Sequence, residues 1–261
     1  SIYYFTLAAN QNCLDAQHNL GMIYYCSQYN RRDINKSIYY FTLAANQNHS
    51  VAQNKLGLIY DNGDYVERDI NKAIHYFTLA ANQNNPAAQL NLGIIFNRGI
   101  YIQRDINKSI YYFTLAANQN NPEAQNNLGF IYFEGKYVTR DMNKAIHYLT
   151  LSADQNNVNA QRTLGFIYLN GLHYDIDINK AIHYFSLAAN QNDKEAQFNL
   201  GHIYFDGEYI NKDITKSIYY FTLAANQNHT VAQNDLGFIY YEGKYVKQDI
   251  EKAIHYLTLS A

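Results

Sequence analysis

The sequence predicts an all-α repeat array with two helices in every 36-residue unit. Three observations carry this. A Leu-Gly pair places its glycine at Gly21, Gly57, Gly93, Gly129, Gly165, Gly201 and Gly237, a spacing of 36 residues with no insertion or deletion. Each interval holds two apolar stripes of helical period. A glycine closes the first stripe and an aspartate opens the second. A period between about twenty and fifty residues marks stacked units, each too small to bury its own apolar face. The array occupies residues 1–261 as a single domain, in frames beginning at residues 1, 37, 73, 109, 145, 181 and 217, with a terminal half-helix from 253. The chain starts in the second-helix half of a unit and closes at Ala261 inside another helix, so it reads as part of something longer.

The copy from Pro122 to Asn156 states the unit most fully. Asn121-Pro122-Glu123 is a helix start: Asn caps, Pro takes the first helical position where its missing N–H costs nothing, and Glu suits the positive end. Ala124, Leu128, Ile131 and Tyr132 then form the apolar stripe of the first helix, helix A. Gly135 suits a left-handed C-terminus, as do Gly63, Gly99, Gly171, Gly207 and Gly243, whereas the first copy has Ser27 there and is expected to fray. The Leu-Gly glycine lies inside the helix, where glycine costs about 1 kcal/mol, so it is placed where helix B comes close. After a loop carrying Tyr137 and Val138, Asp141 is the expected N-cap of helix B, matched by Asp33, Asp69, Asp105, Asp177, Asp213 and Asp249. Helix B presents Ile146, Leu149 and Ala153 inward, with Tyr148 and Leu151 widening the stripe and Thr150 and Asp154 facing solvent. Ala145 and Ala153 allow close approach, and an Asn-rich linker, Asn156-Asn157, leads to the next helix A.

Composition excludes several function classes. A net charge of −2 gives no electrostatic footprint for nucleic acid or an anionic membrane. The apolar runs are interrupted far short of the ~20 residues needed to span a bilayer. Cys13 and Cys26, if they flank one helix, lie ~20 Å apart, beyond disulfide reach, so they read as free thiols of a reducing, cytoplasmic compartment. Asn35, Asn48, Asn107 and Asn228 head Asn-x-Ser/Thr sequons, expected by chance in a chain so rich in Asn. Exposed Ile2, Phe5, Ile254 and Leu257 are expected to make the chain's ends adhesive.

The pattern Ala124, Leu128-Gly129, Tyr132, Gly135, Val138, Asp141, Lys144-Ala145, Tyr148, Ala153 resembles the Sel-1-like repeat, a relative of the tetratricopeptide repeat, along the whole chain. The resemblance implies a right-handed superhelix (solenoid) of antiparallel helix pairs with helices A on the concave side, acting as a scaffold or adaptor for protein partners. A cysteine-rich branch is associated with weak β-lactam hydrolysis, but its paired cysteines are missing here and no Ser-x-x-Lys occurs.

No catalytic, cofactor or metal set is expected. His75, His147, His183 and His255 share one slot, which alternates between Ala-Ile-His-Tyr and Ser-Ile-Tyr-Tyr, and repeats ~8–10 Å apart cannot share a ligand set with bonds of ~2 Å. Cys13, His18 and Cys26 have no zinc spacing. The tyrosines Tyr24, Tyr60, Tyr132, Tyr168, Tyr204 and Tyr240 lie on the core stripe and are read as packing. The informative positions vary while the frame stays fixed. On helix A opposite the core stripe they are Phe130 and Phe133 with Asn126; Arg162, Phe166 and Leu169; Phe198, His202 and Phe205; and Phe238 and Tyr241 with Asn234. The earlier copies place Asn54, Leu58 and Asp61, then Leu90, Ile94 and Asn97, in these slots. Glu123, Glu134, Glu195, Asp206 and Glu242 rim this face, so the expected partner is a protein or peptide with basic and hydrophobic residues. The middle slot, Phe130 and its equivalents, either packs on the next helix A or faces the partner, and the outer slots vary too much for buried contacts. A spacer or self-associating stalk is the alternative, with weak hydrolysis more remote.

Overall fold

The computed structural model describes residues 2–26, 32–172 and 175–261, and Ser27 lies outside them. Among the described residues there are fifteen α-helices and no strand. In order they are α1 (Ile2–Asn10), α2 (Leu14–Tyr25), α3 (Ile34–Asn46), α4 (Ser50–Asn62), α5 (Ile70–Ala81), α6 (Pro86–Arg98), α7 (Ile106–Ala117), α8 (Pro122–Glu134), α9 (Met142–Ala153), α10 (Val158–Leu169), α11 (Ile178–Asn190), α12 (Lys194–Asp206), α13 (Ile214–Ala225), α14 (Thr230–Glu242) and α15 (Ile250–Ser260). Even numbers are helices A and odd numbers helices B. The chain forms two compact units, Ser1–Leu128 and Gly129–Ala261. Within the first, consecutive helices from α1 to α7 pack on one another; within the second, consecutive helices from α9 to α15 do so.

Each pair closes on the Leu-Gly glycine. A Cβ added to Gly201 would lie 2.5 Å from the Phe221 ring, which is fully buried and cannot retreat. Gly21, Gly57, Gly93 and Gly165 meet Phe41, Phe77, Phe113 and Phe185 in the same way, and Gly129 meets Leu149. Two Ser versions of helix B add a buried bond: the Ser37 hydroxyl donates to the Gly21 carbonyl at 2.9 Å, and Ser109 to Gly93 at 2.8 Å, whereas the buried Ser217 hydroxyl makes none.

Both ends of the A–B loop are set by local chemistry. Gly63, with φ +70°, ends α4 in the left-handed region. The helix α10 ends one residue earlier, with Asn170 as its cap and Gly171 just beyond. Every predicted aspartate caps its helix B by accepting from the backbone N–H three residues on, as Asp105 does from Lys108 at 3.0 Å. The same lysines place their ammonium groups over the helix A ring, Lys72 at 5.1 Å from the Tyr60 centroid, and that ring stacks on Tyr76 at 6.0 Å. The core-stripe tyrosines are therefore packing residues.

Two features join one repeat to the next. The residue ending each B–A turn, Asn12, Asn48, Asn84, Asn120, Asn156, Asn192 or Asn228, has φ between 57° and 66°, a conformation that asparagine tolerates better than other side chains. It lets the following backbone N–H return to helix B, as His49 does to the Ala44 carbonyl at 3.1 Å. Beside it, buried Gln53 donates to the Ala45 carbonyl at 3.1 Å and accepts from Gln83 of the next turn at 2.7 Å. Gln17 and Gln47, and Gln89 and Gln119, repeat this amide pair in the first unit; Gln161 and Gln191, and Gln197 and Gln227, repeat it in the second.

Two details of helix B depart from the sequence reading. Leu151 is exposed, because at two residues from both Leu149 and Ala153 it points about 200° round the helix from Leu149, away from the stripe of Ala145, Leu149 and Ala153. Thr150 is half-buried and hydrogen-bonded with the Tyr184 hydroxyl of the following repeat, so it does not face bulk solvent. At the ends Ile254 is exposed, whereas Ile2, Phe5 and Leu257 are half-buried.

Gly201→Val forces three carbons into the Phe221 ring. Overpacking of about 2–3 kcal/mol outweighs the ~0.5 kcal/mol gained in helix propensity, so chemical denaturation should show a clear loss. A second expectation concerns acid. The backbone N–H of Lys108, foremost among its contacts, holds the Asp105 carboxyl below its usual range. Its contribution is therefore complete above the unfolded value of about 3.9 and is lost as pH falls through the lower folded value. Asp105→Ala should lower the unfolding midpoint more at pH 7 than near pH 2, where only the weaker cap of the neutral carboxyl is left to lose, while Asp105→Asn retains most of the cap at both.

Candidate binding face on the second unit

All ten residues singled out on helix A fall in the second unit, on α8, α10, α12 and α14. Helix geometry divides them by slot, including the middle one, for which the sequence left packing on the next helix A and exposure both open. Phe130, Phe166 and Phe238, one per helix in equivalent positions, are 45%, 46% and 49% exposed and do not sink against a neighbouring helix. Tyr241, one turn on from Phe238, is also exposed.

The outer slots are more occupied. Phe133 and Leu169 are half-buried on their unit's apolar core, with the Arg140 guanidinium 5.4 Å from the Phe133 ring. Arg162 reaches the N-cap of the following helix A, its Nη1 2.7 Å from Asp193 Oδ2, while the other oxygen of Asp193 accepts from the Ala196 N–H at 2.8 Å. Phe198 stacks on His229, the next such N-cap, at 4.3 Å between centroids and meets His202 edge-on at 4.6 Å. His229 in turn lies 3.3 Å from Glu195. In the first unit the same pair of slots holds stacked His18 and His49, 4.6 Å apart; burial, with His49 second, pushes the His18 imidazole below its ordinary value. These slots vary between copies because each must match one partner residue in the next copy.

Between α12 and α14 the face opens into a pocket of about 370 Å³ lined by His202, Phe205, Asp206, Phe221, Asp235, Phe238, Ile239, Glu242, Lys244 and Tyr245. The middle slot is histidine here, whereas α10 and α14 carry Phe166 and Phe238. The His202 Nε2 lies 3.2 Å from Asp235 Oδ2. That oxygen is buried and has no hydrogen-bond donor, so the two groups are close without a well-aligned bond. Phe205 packs on Phe221 and meets Tyr245 edge-on at 5.5 Å.

The sequence reading missed Asp235, Lys244 and Tyr245. A signal for Asp235 was present: it is the one acid at a slot held elsewhere by Asn19, Lys55, Asn91, Asn127, Thr163 and Asn199. Elsewhere, His75, His147, His183 and His255 are exposed, each edge-on to the adjacent tyrosine. Among the described residues no group of His, Cys, Asp or Glu is arranged to hold a metal ion, and no helix is long and apolar enough to cross a membrane.

Comparison with known proteins follows this geometry. The Sel1 repeat matches the chain over residues 1–13, 14–49, 50–85, 86–121, 122–157, 158–193, 194–229 and 230–261. The crystal structure of a protective antigen present in uropathogenic Escherichia coli strains, displaying an SLR fold, is similar at 30% identity and a TM-score of 0.95. That similarity covers 100% of this chain and 56% of the other, so the chain spans little more than half that protein's length. A Sel1 repeat protein from Oxalobacter formigenes is similar at 29% identity and a TM-score of 0.82, over 99% of this chain and 75% of that one. No curated protein matches the chain in sequence.

The division of slots is measurable. Phe198→Ala removes a ring wedged against His229 and Phe221 and should cost about 2–3 kcal/mol in denaturant titrations. Phe166→Ala should cost about 0.5 kcal/mol, as for a surface side chain.

Proposed function

This chain belongs to the Sel1 repeat family, and on that premise we propose that it is a non-catalytic scaffold whose second unit grips a protein segment along its A helices. Sel1 repeats mediate protein interactions, and the family is typically without catalytic activity. The observation that carries the finer reading is the row of Phe130, Phe166 and Phe238, each about half exposed at one slot on α8, α10 and α14. Large aromatic side chains are costly to leave in water and are the residue type from which binding hot spots are built. Tyr241 extends the row, and the carboxylates of Glu134, Asp206 and Glu242 flank it, which favours a segment combining apolar and basic residues. Phe133, Leu169, Arg162 and Phe198 then act mainly by holding the face in shape. We infer a reducing, cytoplasmic compartment, supported by the free, exposed thiols of Cys13 and Cys26.

The test uses peptides selected from a displayed random library against the whole chain. Binding should weaken at least about tenfold on replacing Phe130, Phe166 and Phe238 together by Ala, with the unfolding midpoint little changed, since hot-spot truncations cost about 2 kcal/mol or more. Unchanged affinity in the triple variant removes the assignment. A concentration-dependent dimer in light scattering, abolished by the same variant, establishes the self-associating stalk in its place.

A further inference from the structure

We propose that the stack of His18 on His49 is an acid-sensitive joint: mild acidification uncaps α4 and loosens the hold of the α2–α3 repeat on the α4–α5 repeat. The two rings lie 4.6 Å apart and 24° from parallel. Neutral imidazoles stack in this way, whereas two imidazolium ions so close repel each other.

Each ring is placed to suit its neutral form. His49 is the N-cap of α4, and its Nδ1 accepts from the Ala52 N–H at 3.1 Å. An acceptor nitrogen carries no proton. An imidazolium has an N–H on both ring nitrogens, so charging His49 sets two donors facing one another and adds a cation at the positive end of a helix. His18 resists charging for a different reason. Its Nε2 is buried without a hydrogen-bond partner, and a charged ring would leave an N–H there with nothing to accept it.

The surroundings do not offset this. Helix α1 brings no charged side chain, and the one on α3, Lys36, is paired with Asp33 at the end of that helix away from His49. Helix α2 itself carries Asp15 and, exposed at its start, Cys13. Lys55 on α4 opposes a charge on His18 and outweighs Asp15, which favours it. Burial foremost, and then His49, holds the His18 imidazole below its ordinary value. Its contribution to stability is therefore complete above the unfolded value of about 6.5 and is lost as pH falls through the lower folded value.

The second unit supplies the contrast. There Phe198 takes the slot of His18, and Glu195, one carbon longer, takes that of Asp15. His229 caps α14 as His49 caps α4, its Nδ1 accepting from the Ala232 N–H at 3.2 Å, but its Nε2 lies 3.3 Å from the Glu195 carboxylate. A proton taken up at His229 strengthens that ion pair while it removes the cap, so the response to acid belongs to the first unit.

The test is amide hydrogen exchange on the whole chain between pH 7.5 and 5.5, with the histidine ring resonances followed in parallel. After correction for intrinsic rates, the Ala52 amide should lose about fivefold in protection, as when an N-cap is removed, over the range in which the His18 and His49 rings titrate. The Ala232 amide should lose less. His49→Asn installs the cap that Asn85, Asn121 and Asn157 already provide in other copies, so it should fold normally and abolish the pH response at Ala52. Unchanged protection of Ala52 down to pH 5.5, the same loss in His49→Asn, or an equal loss at Ala232 overturns the assignment.

Discussion

Everything in each repeat follows from one contact, the pressing of a phenylalanine or leucine of helix B against a bare stretch of helix A backbone. The glycine at that point costs helix propensity in seven A helices, and the cost is accepted because no side chain can stand between Gly201 and Phe221. Close approach brings the two helices within reach of further bonds. The serine hydroxyl can then reach the glycine carbonyl, as Ser37 and Ser109 do, and the lysine after the aspartate cap can lie over a helix A ring. Such a contact fixes the distance and rotation within a pair and leaves the surface away from it free to change.

Neighbouring pairs are registered by different chemistry. The buried glutamine of helix A is tied to its own preceding turn and to the glutamine of the next one, so a single side chain spans two junctions. Buried amides without partners are costly, and this gives the arrangement directional selectivity that apolar packing lacks. The left-handed asparagine sets the turn that brings these amides together. Each repeat thus depends on its immediate neighbours only, the condition under which copies can accumulate without disturbing distant ones.

Helix positions, glycine caps and aspartate caps were legible in the sequence because each follows a local rule acting within about one turn of chain, as at Asn121-Pro122 or Asp141. Other features were not, for a common reason. The glutamine ladder breaks the rule that polar residues face water, and only the recurrence of Gln53 and its equivalents at every 36th position could have exposed it. Asn156 was read as linker, although an asparagine fixed at one place in every turn is the sequence mark of a positive φ. Arg162 and Phe198 looked free because they vary, yet variation also arises when two positions must suit each other. The partners that reveal this, Asp193 and His229, lie 31 residues away in sequence. The pocket residue Asp235 belongs to this group, since its meaning depends on a histidine in the preceding copy.

Variation in this chain therefore has two physical origins. Where a variable residue meets a second variable residue, as in His18 with His49 or Arg162 with Asp193, the change is absorbed inside the molecule and alters only how firmly two repeats join. At the middle slot the exposed phenylalanines have no such partner: methionine, leucine and isoleucine occupy it in the first three copies and phenylalanine or histidine in the last four. An exposed ring there adds nothing to folding that a smaller residue would not supply, and it carries a solubility cost. His202 is the exception in this slot, since it lies 3.2 Å from Asp235 of the next copy and so has a partner inside the molecule. A chain built only for its own stability would have no use for the exposed rings of Phe130, Phe166 and Phe238, so the binding chemistry is to be sought where the repeat departs from itself without an internal answer.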